Sequence, residues 1–249
     1  MRTIAVIPAR LASTRLPRKM LREILGKPLV GWVYEAVRSS PLLDDVIIAT
    51  DSAEILETCR RRGWKAQMTA SSHDSGSERV HEISDSIAAD IYINVQGDEP
   101  LVRADQIATL IDVMKSDVTR GDAMKNSSVM VGTIKTPCSP EEIRNPNAVK
   151  VVTAPDGKAL YFSRATVPFD RDRSDPTYYK HLGLYAYRKP ALDQFVSWPQ
   201  SVLEKTEKLE QLRFLENGIS IYVGETPFDS IGVDTEEDLK RVTEILQKR

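Results

Sequence analysis

In the first half of the chain, short apolar runs rich in β-branched residues alternate with longer segments of helical spacing, and that alternation restricts the fold more than any other feature. Residues 4–7, 46–49 and 91–95 read as strands, and 29–38, 53–62, 78–87 and 104–115 read as helices. Strands joined through crossover helices pair as parallel neighbours. The expected fold is therefore α/β, a mostly parallel sheet flanked by helices, with ligands at the carboxyl ends of the strands. Further on, 129–134, 149–152, 182–187 and 219–223 read as strands, and 203–216 and 236–247 as helices. No long helix separates 149–152, Tyr161-Phe162 and 182–187, so antiparallel additions and a mixed sheet are expected there. The 249 residues suit one large α/β domain or two small ones; with no long linker, repeat or low-complexity tract, the chain reads as a single domain over 1–249.

The common phosphate-binding signatures are missing. No two glycines are separated by one residue, which removes the G-x-G-x-x-G dinucleotide fingerprint, and Gly26-Lys27 is followed by Pro28, which removes the P-loop. A nucleotide must be held in another way. After the first strand comes Pro8-Ala9-Arg10-Leu11-Ala12-Ser13-Thr14-Arg15-Leu16-Pro17-Arg18-Lys19, which offers four cations and two hydroxyls. Triphosphate oxygens require such N–H and O–H donors together with positive charge. At an effective dielectric near ~20, one cation roughly 4 Å from a phosphate charge gains about 4 kcal/mol before desolvation. The alternative is a solvated basic loop.

Two acidic stretches extend the pattern. Asn94-Val95-Gln96-Gly97-Asp98-Glu99-Pro100 places adjacent carboxylates at the mouth of the third strand. Magnesium takes one or two carboxylates and completes its octahedron with phosphate oxygens and water, so Asp98 is a candidate ligand, helix capping being the alternative. Gly232-Val233-Asp234-Thr235-Glu236-Glu237-Asp238-Leu239 presents an aspartate just before the C-terminal helix; alone, it reads as a helix cap. A formal net charge of −2 gives no basic field for a nucleic-acid backbone, so no nucleic-acid partner is expected. No apolar run approaches the ~20 residues of a membrane span, and the first apolar run is too short for a signal peptide. A soluble, cytoplasmic protein without a membrane partner is expected. Cys59 and Cys138 lie far apart and suggest neither disulfide nor zinc. The polar stretch Asp170-Arg171-Asp172-Arg173-Ser174-Asp175 reads as a solvated connection.

Taken in order, these stretches resemble the CMP-Kdo synthetases, the 3-deoxy-manno-octulosonate cytidylyltransferases, over essentially the whole chain. The resemblance rests on Ile7-Pro8-Ala9-Arg10, Ser13-Thr14-Arg15-Leu16-Pro17 with Lys19, Gly26-Lys27-Pro28, Ala49-Thr50-Asp51 and the stretch from Asn94 to Pro100. It continues through Asn145-Pro146-Asn147-Ala148-Val149-Lys150-Val151-Val152, Ala159-Leu160-Tyr161-Phe162-Ser163-Arg164, His181-Leu182-Gly183, Leu209-Glu210-Gln211-Leu212-Arg213 and Gly232-Val233-Asp234-Thr235. The first loop reads Ser-Thr-Arg-Leu-Pro where the related CMP-sialate synthetases are rich in glycine and serine, which favours the Kdo branch.

The resemblance implies a nucleotidyltransferase Rossmann-like fold with CTP over the first loop, activation of Kdo to CMP-Kdo with release of pyrophosphate, a place in lipopolysaccharide biosynthesis, a magnesium cofactor and a homodimer. It implies that Arg15 and Lys19 bind the triphosphate and that Asp98 and Asp234 hold magnesium, with Lys19, Asp98 and Asp234 the catalytic set. Arg10, Ser13, Ser75 and Arg79 would help form the nucleotide pocket. Gln96, Arg164, His181, Tyr185, Glu210 and Gln211 would serve the sugar. Attack of a sugar hydroxyl on the α-phosphorus, in line with departing pyrophosphate, is mostly positioning and charge neutralisation, and it needs no side-chain base.

Two positions depart from the family pattern. The chain reads His73-Asp74-Ser75-Gly76-Ser77-Glu78-Arg79, with Asp74 where the family has glutamine. A carboxylate there would favour an ammonium, so 8-amino-Kdo is an alternative substrate; a solvent-facing change, or pairing with Arg79, is the plainer reading. Arg18 stands where the family commonly has glycine, which leaves the local backbone open. Outside this family the alternatives are another sugar nucleotidyltransferase, against which Glu210-Gln211-Leu212-Arg213 argues, and a non-catalytic nucleotide-binding protein, against which joint retention of Lys19, Asp98 and Asp234 argues.

Overall fold

The computed structural model describes residues 1–116 and 128–248. The chain divides into two compact units, Met1–Ala108 with Ser230–Arg249, and Thr109–Asp229. In chain order the first unit holds β1 (Thr3–Ala9), a 3-10 turn (Lys19–Leu21), β2 (Glu23–Ile24), β3 (Lys27–Pro28), α1 (Leu29–Arg38), β4 (Asp45–Thr50), α2 (Ala53–Arg62), β5 (Ala66–Met68), α3 (Gly76–Ser86) and β6 (Ile91–Asn94). The unit boundary falls within α4 (Ala104–Lys115). The second unit continues with β7 (Val131–Pro137), α5 (Pro140–Ile143), β8 (Lys150–Thr153), β9 (Ala159–Ser163), β10 (Tyr179–Tyr187), α6 (Lys189–Ser197), α7 (Val202–Glu207), α8 (Leu212–Glu216) and β11 (Ile221–Glu225), after which α9 (Glu236–Gln247) returns to the first.

In the first unit four strands run parallel in the order β6–β1–β4–β5, with β1 registered on β4 from Ile4↔Asp45 to Ala9↔Thr50. Ile4, Ala5, Val6 and Ile7 are all fully buried, the continuous burial of a parallel strand covered on both faces. Local chemistry sets the helix ends. Ser52 caps α2 by accepting from the Ile55 N–H at 3.4 Å, and Gly63 closes it at φ 72, in the left-handed region that a side chain would strain. Leu239, Val242 and Leu246 of α9 join Leu16, Ile24, Leu29, Leu101 and Val233 in one buried cluster. Each such leucine or valine contributes about 1.5–3 kcal/mol through burial. The C-terminal helix is thereby tied to the loop after β1.

The second unit is mixed, as the clustered strands 149–152 and 182–187 predict. β7 pairs β11 in parallel and β10 antiparallel, β8 pairs both β10 and β9 antiparallel, and a bulge interrupts the β7–β10 ladder between Leu182 and Tyr185. The expected helix over 203–216 is corrected to two short helices. Ser201 and Glu204 form a capping box at the start of α7, and Lys208 turns the chain at φ 54. Arg213 then reaches back to Glu204 with bonds of 2.7 and 2.6 Å, a pair buried on both sides. The apolar periodicity does not predict β5, the β2–β3 hairpin, α5 or α6. Among the described residues no helix is long and apolar enough to cross a membrane.

Candidate active site

A cleft of about 520 Å³ opens in the first unit at the carboxyl ends of β1 and β6. Arg10, Ser13, Arg15 and Lys19 line it from the first loop, Ser75 and Arg79 from the start of α3, and Gln96, Asp98 and Asp234 from the loops before α4 and α9. The structure thus brings together every candidate nucleotide and metal residue, and Gln96 of the sugar group. The loop holds its shape because Leu16 and Met20 are buried while Arg10 and Arg15 stay exposed. Arg18 sits at φ 56, the left-handed conformation that glycine adopts without strain, and its guanidinium meets Glu54 on α2.

Lys19 is the centre of the arrangement. Its ammonium lies 2.5 Å from Asp98 Oδ2 and 2.9 Å from Asp234 Oδ1, while Arg15 reaches the other oxygen of Asp234 at 3.0 Å. Burial pulls the lysine pKa down, and the charges and hydrogen bonds of Asp98 and Asp234 more than offset that, leaving it above the ordinary value. Neither aspartate caps a helix, which corrects the isolated reading of Asp234. Thr235 caps α9, accepting from the Asp238 N–H at 3.2 Å, and Asp238 Oδ2 accepts from the Asp234 and Thr235 N–H groups at 3.0 and 2.9 Å. The Asp234 side chain remains turned to Lys19. The Val233 N–H donates to the Asp98 carbonyl at 2.9 Å and ties the two loops together. Glycine is required at position 97: a Cβ there would lie 2.7 Å from the Pro8 carbonyl oxygen and 3.0 Å from Met20 Sδ. A pair of carboxylates already gathered around one cationic centre is a donor set that suits a hard oxygen-seeking ion such as magnesium.

The opposite wall is the N-terminus of α3. Ser75 accepts from the Glu78 N–H at 3.2 Å, and Glu78 accepts from the Asp74 N–H at 2.8 Å, so Ser75 shapes the helix start while lining the cleft. The positive end of the helix dipole faces a site of cationic side chains, a setting for anionic oxygens. The Ser75…Glu78 spacing carries this helix-start signal in the sequence itself. Arg79 lines the cleft and also has partners of its own in the wall. It is buried and donates to Asp51 Oδ2 at 3.0 Å, to the Ala70 carbonyl at 3.2 Å and to Thr69 Oγ1, so it braces the wall. Arg79 and Asp74 therefore do not form the pair considered from the sequence; Asp74 is exposed on the cleft rim.

The other sugar candidates, Arg164, His181, Tyr185, Glu210 and Gln211, lie in the second unit. His181 on β10 is held between Phe162 and Tyr185, with ring centroids 4.9 and 5.3 Å away. Thr133 Oγ1 donates to the Leu184 carbonyl at 2.7 Å and so accepts from His181 Nε2 at 2.9 Å. Burial drives the His181 pKa down to about 3, so the ring is a neutral hydrogen-bonding group. Arg164 donates to the carbonyls of Glu207, Pro146 and Lys208 at 2.7, 3.0 and 3.3 Å, which pins the end of α7. Glu210 and Gln211 form the turn into α8, and the buried Gln211 Nε2 meets no acceptor among the described residues.

The chain is similar to known proteins over most of its length. A family model described as cytidylyltransferase matches residues 4–221. The chain is 59% identical over 249 residues to a 3-deoxy-manno-octulosonate cytidylyltransferase of Koribacter versatilis (strain Ellin345), covering 100% of this chain and 91% of that protein. It is 53% identical over 247 residues to the enzyme of the same name from Acidobacterium capsulatum, covering 99% and 97%. A solved structure of CMP:2-keto-3-deoxy-manno-octonic acid synthetase complexed with CTP matches with a TM-score of 0.92 and 37% identity, over 100% of this chain and 99% of that one.

Proposed function

Because the chain belongs to the cytidylyltransferase family, we propose that it joins CTP to Kdo, giving CMP-Kdo and pyrophosphate for lipopolysaccharide biosynthesis. The observation that carries this reading beyond family membership is the meeting of Arg15, Lys19, Asp98 and Asp234 in one cleft of the first unit. We take the enzyme to be a cytoplasmic homodimer whose two units work as one cytidylyltransferase domain.

In this reading the triphosphate lies along the loop after β1. Arg15 and Lys19 neutralise its β- and γ-phosphates, Arg10 and Ser13 add donors, and the end of α3 at Ser75 receives further oxygens. Arg79 keeps that wall in place through Asp51. A sugar hydroxyl attacks the α-phosphorus; its P–O bond forms as the bond to the bridging oxygen of pyrophosphate breaks, and the hydroxyl proton passes to solvent. Asp98 and Asp234 would hold magnesium, which when bound supplies positive charge at the reacting phosphate and lowers the pKa of the attacking hydroxyl. Lys19 stabilises the negative charge that grows on departing pyrophosphate.

Gln96, His181, Tyr185, Glu210 and Gln211 are assigned to the sugar, with Arg164 holding the turn that carries Glu210 and Gln211. A neutral His181 can orient a hydroxyl but brings no positive charge to the sugar carboxylate. The exposed Asp74 on the cleft rim keeps 8-amino-Kdo as a second reading, since its carboxylate would face a substrate ammonium. The test offers each nucleoside triphosphate with magnesium and either Kdo or 8-amino-Kdo and measures pyrophosphate release. CTP with Kdo should turn over fastest; turnover led by another nucleotide, or absent with both sugars, would overturn the reading.

A further inference from the structure

Lys19 occupies the place that the metal reading assigns to an ion. Its side chain is 10% exposed, while Asp98 and Asp234 are 26% and 43% exposed, so the ammonium is the deepest charge of the group. Nζ stands 2.5 and 2.9 Å from one oxygen of each aspartate. A magnesium ion taking those same oxygens would have to share them with the ammonium and sit beside its positive charge, so ion and ammonium compete there.

The charges lead to the same conclusion. Arg15 and Lys19 balance Asp98 and Asp234, and the four form a neutral, mutually satisfied network. A divalent cation entering alone would have to displace Lys19 and would then sit beside two cations without anions of their own. A triphosphate changes the balance, because its oxygens offer both basic side chains new partners and leave the carboxylates to the metal.

Resting on the reading that Asp98 and Asp234 bind magnesium, we propose that Lys19 is a built-in counter-ion that keeps divalent metal out of the empty site and yields its place only when a triphosphate draws Lys19 and Arg15 away. Metal and nucleotide then enter as a pair. Departure of pyrophosphate returns Lys19 to the aspartates and expels the metal, which resets the site for the next turnover.

Binding of Mn²⁺ alone, without nucleotide or sugar, tests this by the loss of free-ion EPR signal at pH 8. The proteins are the parent, the single variants Lys19→Met and Lys19→Gln, the double variant Lys19→Met with Asp98→Asn, and Asp98→Asn as a control, each checked for native circular dichroism. Both single variants should bind Mn²⁺ at least ten-fold more tightly than the parent, and the double variant should lose that gain. Single variants that bind no more tightly than the parent would overturn the proposal. If the parent then binds Mn²⁺ and Asp98→Asn abolishes that binding, the carboxylates hold metal and only the exclusion fails. If no binding depends on Asp98 and Asp98→Asn keeps full turnover, the metal reading falls as well.

Discussion

The buried His181 should make the protein steadily less stable as pH falls from neutral, and replacing it should remove that loss. The folded-state pKa is depressed from 6.5 to about 3 by burial, whereas the unfolded chain titrates near the ordinary value. Above pH ~6.5 neither state takes the proton, and the group contributes no pH dependence. Between the two values only the unfolded state binds it, so stability falls by about 1.4 kcal/mol for each pH unit of acidification. At pH 4.5 the accumulated loss is about 3 kcal/mol. That size is governed almost wholly by the unfolded-state value, because the folded imidazole remains neutral there. His181→Phe keeps an aromatic ring between Phe162 and Tyr185 and gives up the bond to Thr133, which shifts stability by a constant. Urea unfolding of parent and variant from pH 7.5 to 4.5 isolates the histidine as the difference between the two curves. The gap should change by about 3 kcal/mol in the variant's favour. Parallel curves, or a His181 ring resonance that titrates near pH 6 by NMR, would refute the argument that burial holds the ring neutral.

Asp98→Asn and Asp234→Asn should each fold and lose at least ~100-fold in turnover, in keeping with the sensitivity of metal sites to their ligands; near-parental rates at saturating magnesium would remove the metal assignment. Lys19→Ala should alter the CTP dependence more than the Kdo dependence, and overlaid CTP titrations would return Lys19 to a structural role. Gly97→Ala brings a methyl within 2.7 Å of the Pro8 carbonyl oxygen and should lower stability by about 1–3 kcal/mol, visible as a drop in the urea midpoint. If Asp74 faces the sugar, Asp74→Gln should move kcat/KM toward Kdo and away from 8-amino-Kdo by about 1–3 kcal/mol; an unchanged ratio would eliminate the amino-sugar reading.

Helices α1, α2, α4 and α9 lie where the periodicity puts them, because their apolar positions face a core and cap signals such as Ser52 and Thr235 stand at their starts. The helix over 203–216 failed for a related reason. Apolar spacing persists across Lys208, while the reversal depends on Arg213 reaching Glu204, a tertiary bond that no local pattern reveals. β5 is three residues long and part-exposed, too short to show a period. In the cleft, the residue types after β1 and around Asp98 are those that a polyanion and a metal would require, and the fold gathers them in one place. The separate jobs of Arg79 and Arg164 stayed hidden because their partners, Asp51 and the carbonyls of Pro146, Glu207 and Lys208, are brought to them by the fold. The bond between Lys19 and both aspartates was hidden in the same way.

The first unit is discontinuous: Met1–Ala108 shares its cluster with α9, and Asp234 arrives from the same late stretch. On the ribosome, all of Thr109–Asp229 must be translated before Leu239, Val242 and Leu246 can cover Leu16 and Leu29, a wait on the order of ten seconds at ordinary elongation rates. Throughout that interval the nascent chain carries an uncovered apolar face and Lys19 lacks one of its two carboxylates. Vectorial synthesis therefore withholds both the cover of that face and a complete site until α9 has been made.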